Sequence, residues 1–121
     1  MVIVDTTRGE AQESNWEGFY GGKVYTQFVL EGEYPGEKIG VVLVKFDPGA
    51  KNKFHTHTVG QVLYVTEGKG IVATREKEVI VTPGTMIYFS PGEEHWHGAT
   101  DDSSFAHFSI MGGPSENVVT G

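Results

Sequence analysis

The sequence predicts an all-β domain closed as a small barrel or jelly roll, and three observations carry that prediction. Gly supplies 17 of 121 residues, about 14%, where ordinary usage is roughly 7%, and without a Gly-X-Y period the surplus must serve turns. Short runs rich in β-branched and aromatic residues recur between Pro-Gly and Gly-containing breaks. No amphipathic helical period of useful length interrupts them. A length of 121 residues allows one domain and argues against two.

Taken in order, residues 1–21 read as an N-terminal arm. It ends in Trp16, Phe19 and Tyr20, an aromatic cluster suited to pinning the arm onto the domain or onto a second subunit. Residues 22–111 carry the barrel, with strands expected at Lys23–Leu30, Ile39–Phe46, Gln61–Thr66, Gly70–Arg75, Glu78–Thr82, Met86–Ser90 and Ser104–Met111. Breaks fall at Tyr34-Pro35-Gly36, Asp47-Pro48-Gly49, Glu67-Gly68-Lys69-Gly70, Pro83-Gly84 and Ser90-Pro91-Gly92, where Pro fixes φ and Gly supplies positive φ. Side chains alternate with period two, so Val62, Tyr64 and Thr66 share one face while Gln61, Leu63 and Val65 share the other. Met86, Tyr88, Trp96 and Phe105 are expected in the core, and Glu93-Glu94 reads as a solvated turn. Residues 112–121 form a polar C-terminal tail with a Val118-Val119 pair, expected to be mobile.

Nine basic against sixteen acidic residues give a formal charge of −7, which repels a phosphate backbone and argues against a nucleic-acid partner. The absence of Cys excludes disulfides, a thiolate nucleophile and Cys-ligated metals, and fits a reducing compartment. Asp5, Arg8, Glu10 and Glu13 leave no apolar core for a signal peptide, and no run reaches the ~20 apolar residues of a membrane span. The expectation is a cytoplasmic protein that engages no membrane and acts on a small molecule.

Chemistry concentrates in five histidines: His55, His57, His95, His97 and His107. His55-x-His57 in an extended segment presents both imidazoles on one face. With Gln61 four residues on and His95 just past a Gly turn, the set makes a three-nitrogen, one-oxygen shell that suits a first-row divalent metal. Three neutral imidazoles and a neutral carboxamide would leave the full +2 charge on the ion, making it more electrophilic than a carboxylate-ligated one. His97 shares parity with His95; a structural imidazole is the expected role, with a supporting donor, an acid/base partner or an extra ligand as alternatives. His107 shares a face with Phe105 and Ser109, where an apolar pocket would keep it neutral. Ligand and base imidazoles must be neutral, so acid is expected to silence the site near the ordinary value of about 6.5.

The stretch Gly49-x5-His55-x-His57-x3-Gln61-x6-Gly68 resembles the first cupin signature, with Gln61 where a Glu usually stands. Gly84-x5-Ser90-x-Gly92-x2-His95-x3-Ala99 resembles the second, with Ser90 for the usual Pro and Ala99 for the usual Asn. The resemblance implies a single-domain cupin-type jelly-roll β-barrel. The wording His55-x-His57-x2-Gly60-Gln61 and Ser90-Pro91-Gly92-Glu93-x-His95-Trp96-His97 is similar to that of small bacterial cupins which include manganese-dependent hydroxynitrile lyases. That likeness implies metal ligation by His55, His57, Gln61 and His95. It also implies His107 as general base, and one divalent metal, Mn ahead of Fe, Ni, Co or Zn. A homodimer or higher homo-oligomer is expected on the same ground. Cleavage or synthesis of cyanohydrins is the sharpest activity it implies; a metal-dependent dioxygenase and a non-catalytic metal- or ligand-binding cupin stand as alternatives.

Overall fold

A computed structural model describes residues 1–34 and 37–121, so the expected turn at Pro35-Gly36 lies outside the described residues. The described chain is all-β. Its strands are β1 (Gln12–Glu13), β2 (Phe19–Tyr20), β3 (Val24–Tyr34), β4 (Glu37–Phe46), β5 (Lys51–Asn52), β6 (His55–His57) and β7 (Gln61–Gly68). They continue with β8 (Gly70–Ala73), β9 (Glu78–Val81), β10 (Met86–Phe89), β11 (Trp96–Ala99), β12 (Phe105–Gly112) and β13 (Asn117–Val119). The seven expected strands are present, and the ones the sequence did not reveal are two to four residues long, too short to display a period. Among the described residues no helix is long and apolar enough to cross a membrane.

All pairings are antiparallel. One sheet has the order β1-β3-β4-β12-β7-β10 and the other β2-β5-β11-β8-β9, with β13 and β6 forming a separate ribbon. Their inner faces meet in a core of Val24, Val44, Phe46, Leu63, Val65, Phe89 and Phe105 from the larger sheet and Val72, Val81 and Ala99 from the smaller. This is a jelly-roll barrel. Alternation decides who enters it: Gln61, Leu63 and Val65 are buried, whereas Tyr64 on the opposite face is exposed.

Turn glycines sit where the breaks were expected. Gly49, Gly68, Gly84 and Gly92 all have positive φ. At Gly68 (φ 74°) a Cβ would stand 1.8 Å from the carbonyl oxygen of Ser104, so an alanine there cannot be seated without moving the crossing of β7 and β12. Beside it the β7–β12 register shifts between Ala106 and His107, which brings Val65 opposite His107. The bulge thus gives His107 an apolar neighbour in place of Thr66.

Three expectations are corrected. Met86 and Tyr88 are 65% and 61% exposed rather than core, because β10 pairs with β7 at Met86↔Tyr64 and Tyr88↔Val62, leaving Phe89 to face inward. The segment 112–121 is not a loose tail, since Asn117–Val119 pair with His55–His57. Glu94 is not simply solvated: Arg75 bonds it at 2.7 Å and holds its carboxyl well below the usual range.

Trp16 and Phe19 dock on their own barrel, edge-on to His55 at 5.7 Å and Phe46 at 6.0 Å. The outer face of the larger sheet instead carries an apolar row, Leu30–Val41–Ile110–Val62–Tyr88, in cross-strand register. A second row, Leu43–Phe108–Tyr64–Met86, runs beside it.

Candidate metal centre

Five imidazoles meet at one end of the core, supplied by β6, β11, β12 and the residue preceding β11. His55 and His95 are tied backbone to backbone, each N–H donating to the other's carbonyl at 3.0 and 3.1 Å, and this bridge brings together residues forty positions apart. His55, His57, His95, His97 and His107 are all buried. Ligand atoms of His55, His95 and His97 lie within 4.8 Å of one another, a group that could hold a metal ion. His57 packs against the same group, its ring 4.8 Å from that of His55 and 5.3 Å from that of His95.

Hydrogen bonds fix which nitrogen of each ring keeps a lone pair. Nδ1–H of His55 donates to the Lys53 carbonyl at 2.7 Å, and Nδ1–H of His95 to the Glu93 carbonyl at 2.8 Å. Nδ1–H of His57 donates to Oδ1 of Asn117 at 2.5 Å. All three rings therefore keep an unprotonated Nε2, and that of His57 is buried without a partner. Gln61 donates through Nε2 to the Ser109 hydroxyl at 2.8 Å, leaving its Oε1 3.1 Å from Nε2 of His95. Two lone pairs facing each other in a buried space call for a cation between or beside them, and carbonyl-oriented imidazoles are the usual support of a metal ligand. The donor set fits a divalent transition ion.

His97 and His107 form a second tier. The backbone N–H of His97 donates to Oδ1 of Asn52 at 2.8 Å, which turns the Asn52 amide nitrogen toward the His97 ring, 3.3 Å from Nε2. That amide lies nearer Nε2 than Nδ1, which is 3.5 Å away, an arrangement that suits a His97 carrying its proton on Nδ1 and donating it to Nε2 of His107 at 3.2 Å. His107 is fully buried, with Phe46 and Phe105 at 5.7 and 5.4 Å ring to ring. The sequence favoured a structural imidazole for His97 and left a supporting donor, an acid/base partner or an extra ligand as alternatives. The fold puts it between His107 and the other imidazoles, since its ring lies 5.9 Å from His55 and 4.8 Å from His107. Asn52 and Asn117 were not legible as site residues, because each depends on a short strand that no period announces.

Burial keeps the cluster neutral. Desolvation, the largest cause in each case, lowers the pKa of His55 to about 4, of His95 to about 3 and of His107 to about 4. His57 is lowered too and His97 falls well below its ordinary value, also chiefly through desolvation. The expected acid response near pH 6.5 is thereby moved: in the folded protein these rings stay neutral well below that pH. A cleft of about 460 Å³ has Ser109 and Val42 at its inner end and Lys38, Ile39 and Glu31 at its rim; no imidazole lines it, and it meets the centre through Ser109, which holds Gln61.

A closed antiparallel jelly roll with clustered imidazoles at one end defines a cupin barrel able to hold a metal. The chain belongs to the Cupin domain family, whose match covers residues 42–111. It is 30% identical to a cupin-like protein of Thermotoga maritima, with a TM-score of 0.83 over 96% of this chain and 90% of that one. A polyketide cyclase from Streptomyces resistomycificus shares the fold at 18% identity, with a TM-score of 0.82 over 100% of this chain and 87% of that one. Among curated proteins the chain is 46% identical over 70 residues to an (R)-mandelonitrile lyase from Granulicella tundricola. That match covers 56% of this chain and 53% of the relative, so the chain spans about half the length of the curated protein it matches.

Proposed function

We propose that this cupin cleaves cyanohydrins to a carbonyl compound and hydrogen cyanide, and runs the reverse addition. In this reading His55, His57, Gln61 and His95 hold one divalent ion, manganese ahead of iron, nickel, cobalt or zinc. The observation that carries it is the convergence of unprotonated imidazole nitrogens and a carboxamide oxygen, with the hydrogen-bonded His97–His107 pair packed against them. The likeness to a mandelonitrile lyase supplies the substrate class.

When bound, the ion would act as a Lewis acid whose +2 charge is undiminished by its neutral ligands and which acidifies the substrate hydroxyl. The protein does the rest. The cleft ending at Ser109 admits the substrate's carbon skeleton. Ser109 holds the Gln61 carboxamide with its oxygen toward the centre. The hydroxyl proton is taken up by the His97–His107 pair as a relay: Nε2 of His97 accepts it while the Nδ1 proton of His97 moves to Nε2 of His107. The C–C bond electrons leave with cyanide as the C=O bond forms, and the imidazolium returns its proton to cyanide. Because burial lowers His107 to about 4, the ring is a weak base that depends on an acidified hydroxyl to gain the proton, and it gives that proton up readily to cyanide.

Purified protein supplied with Mn²⁺ is expected to release benzaldehyde from mandelonitrile, followed by ultraviolet absorbance. Chelation should abolish the release and added Mn²⁺ restore it. No release above background with any divalent ion would overturn the reading, and oxygen uptake with a diketone or phenolic substrate instead would replace it with a dioxygenase.

We also propose that a second copy covers the outer apolar rows of the larger sheet. None of those nine residues is charged, on a chain of net charge −7, and all but Leu43, which is already buried, keep surface that a partner could cover, so two copies meet here without setting like charges together. Light scattering is expected to give a dimer that Tyr64→Glu with Tyr88→Glu reduces to a monomer of 13.2 kDa. A monomeric parent protein would refute the pairing.

A further inference from the structure

The family match ends at Met111, yet the chain beyond it returns to the histidine cluster. β13 pairs with β6 so that Asn117 stands opposite His57, Val118 opposite Thr56 and Val119 opposite His55. Directly opposed residues of an antiparallel pair share a face, which puts the Asn117 carboxamide on the side of the His57 ring, where Oδ1 accepts its Nδ1–H at 2.5 Å. The segment is fastened on both sides of this contact. Before it, Thr58 N–H donates to the Glu116 carbonyl at 3.2 Å, and Glu116 N–H to the Thr58 hydroxyl at 3.0 Å. After it, Thr120 N–H donates to the Phe54 carbonyl at 2.8 Å, and the Thr120 hydroxyl donates to Glu94.

We infer that Asn117 is the positioning residue of His57, and that the segment carrying it is a clasp which sets how tightly the centre holds its ion. This rests on the ligand role proposed above for His57. A neutral imidazole carries its proton on either nitrogen, and a carbonyl oxygen at Nδ1 commits it there, leaving the Nε2 lone pair for the cluster. Main-chain carbonyls two residues away do this for His55 and His95, so no substitution at Lys53 or Glu93 removes them. Of these three rings only His57 takes its orientation from a side chain, one brought from 60 positions along the chain. Its Nε2 is buried and unpartnered, so a ring free to turn would lose the one arrangement in which that atom faces the cluster.

Two measurements on the intact chain test this. Calorimetric titration of the metal-free protein with Mn²⁺ is expected to show about tenfold weaker binding for Asn117→Ala, with affinity retained in Asn117→Asp, which keeps an acceptor oxygen. Long-range nitrogen NMR of the metal-free protein reads the tautomers directly. His57 should be the Nδ1–H form in the parent and a mixture in Asn117→Ala, while His55 and His95 do not change. Binding within twofold of the parent, or an unchanged His57 tautomer, would overturn the inference. A parent protein that takes up no Mn²⁺ yet shows the tautomer change would instead strike the ligand reading and leave the positioning of His57 standing.

Discussion

Replacing His107 with alanine or glutamine is expected to lower mandelonitrile turnover about a hundred- to ten-thousand-fold while the bound metal stays near the parent level. The separation of effects follows from position. His107 lies behind His97, with its ring 4.8 Å from that of His97, and takes its hydrogen bond from that residue. The rings of His55, His57 and His95 are oriented by Lys53, Asn117 and Glu93 instead. Removing His107 therefore takes away the proton acceptor without releasing any imidazole proposed to bind the ion. Glutamine guards against misreading a packing defect, because an alanine would open a cavity between Phe46 and Phe105. Turnover unchanged in both variants would mean that His107 is not the base. Joint loss of metal and turnover would place it among the ligands.

The metal-free protein is expected to lose stability steeply as pH falls from about 6.5 to about 4. In the unfolded chain an imidazole titrates near pH ~6.5, whereas in the folded protein His55 and His107 are lowered to about 4 and His95 to about 3. Between those values the unfolded state binds more protons, so the folded state is fully favoured above the upper value and loses ground as acid is added. Each such group contributes a slope of at most about 1.4 kcal/mol per pH unit, roughly 4 for three, against a typical total stability of about 5–15. Urea midpoints at pH 7.5, 6 and 5 would measure this. Mn²⁺ should move the fall to lower pH, because it binds only neutral imidazoles. A midpoint flat between pH 7 and 5 without metal would contradict the burial of neutral rings.

Much of the centre was legible because its spacing is local. His55-x-His57 on an extended segment needs only period-two geometry to present two imidazoles together, and the fold places both in the core. Gln61, Leu63 and Val65 on one face of β7 followed from the same alternation. Alternation gave no sign in β10, where Met86 and Tyr88 are apolar on the face away from the core. Hydrophobicity alone does not say which of two apolar faces is covered. His97 was underestimated because parity names a face and not a neighbour; its contact with His107 comes from β11 and β12, which lie in different sheets.

By itself the sequence determined an all-β barrel, the positions of its longer strands and turns, and the residue types able to bind a cation, since each of these depends on chemistry within a few residues. Tertiary structure alone decided the order of the imidazoles about the centre, the nitrogen each one leaves free, and the use of Asn52 and Asn117 to set them. For His97 and His57 those outcomes depend on side-chain amides that arrive from strands 45 and 60 positions away, and one hydrogen bond across such a distance leaves no periodic trace in the chain that makes it.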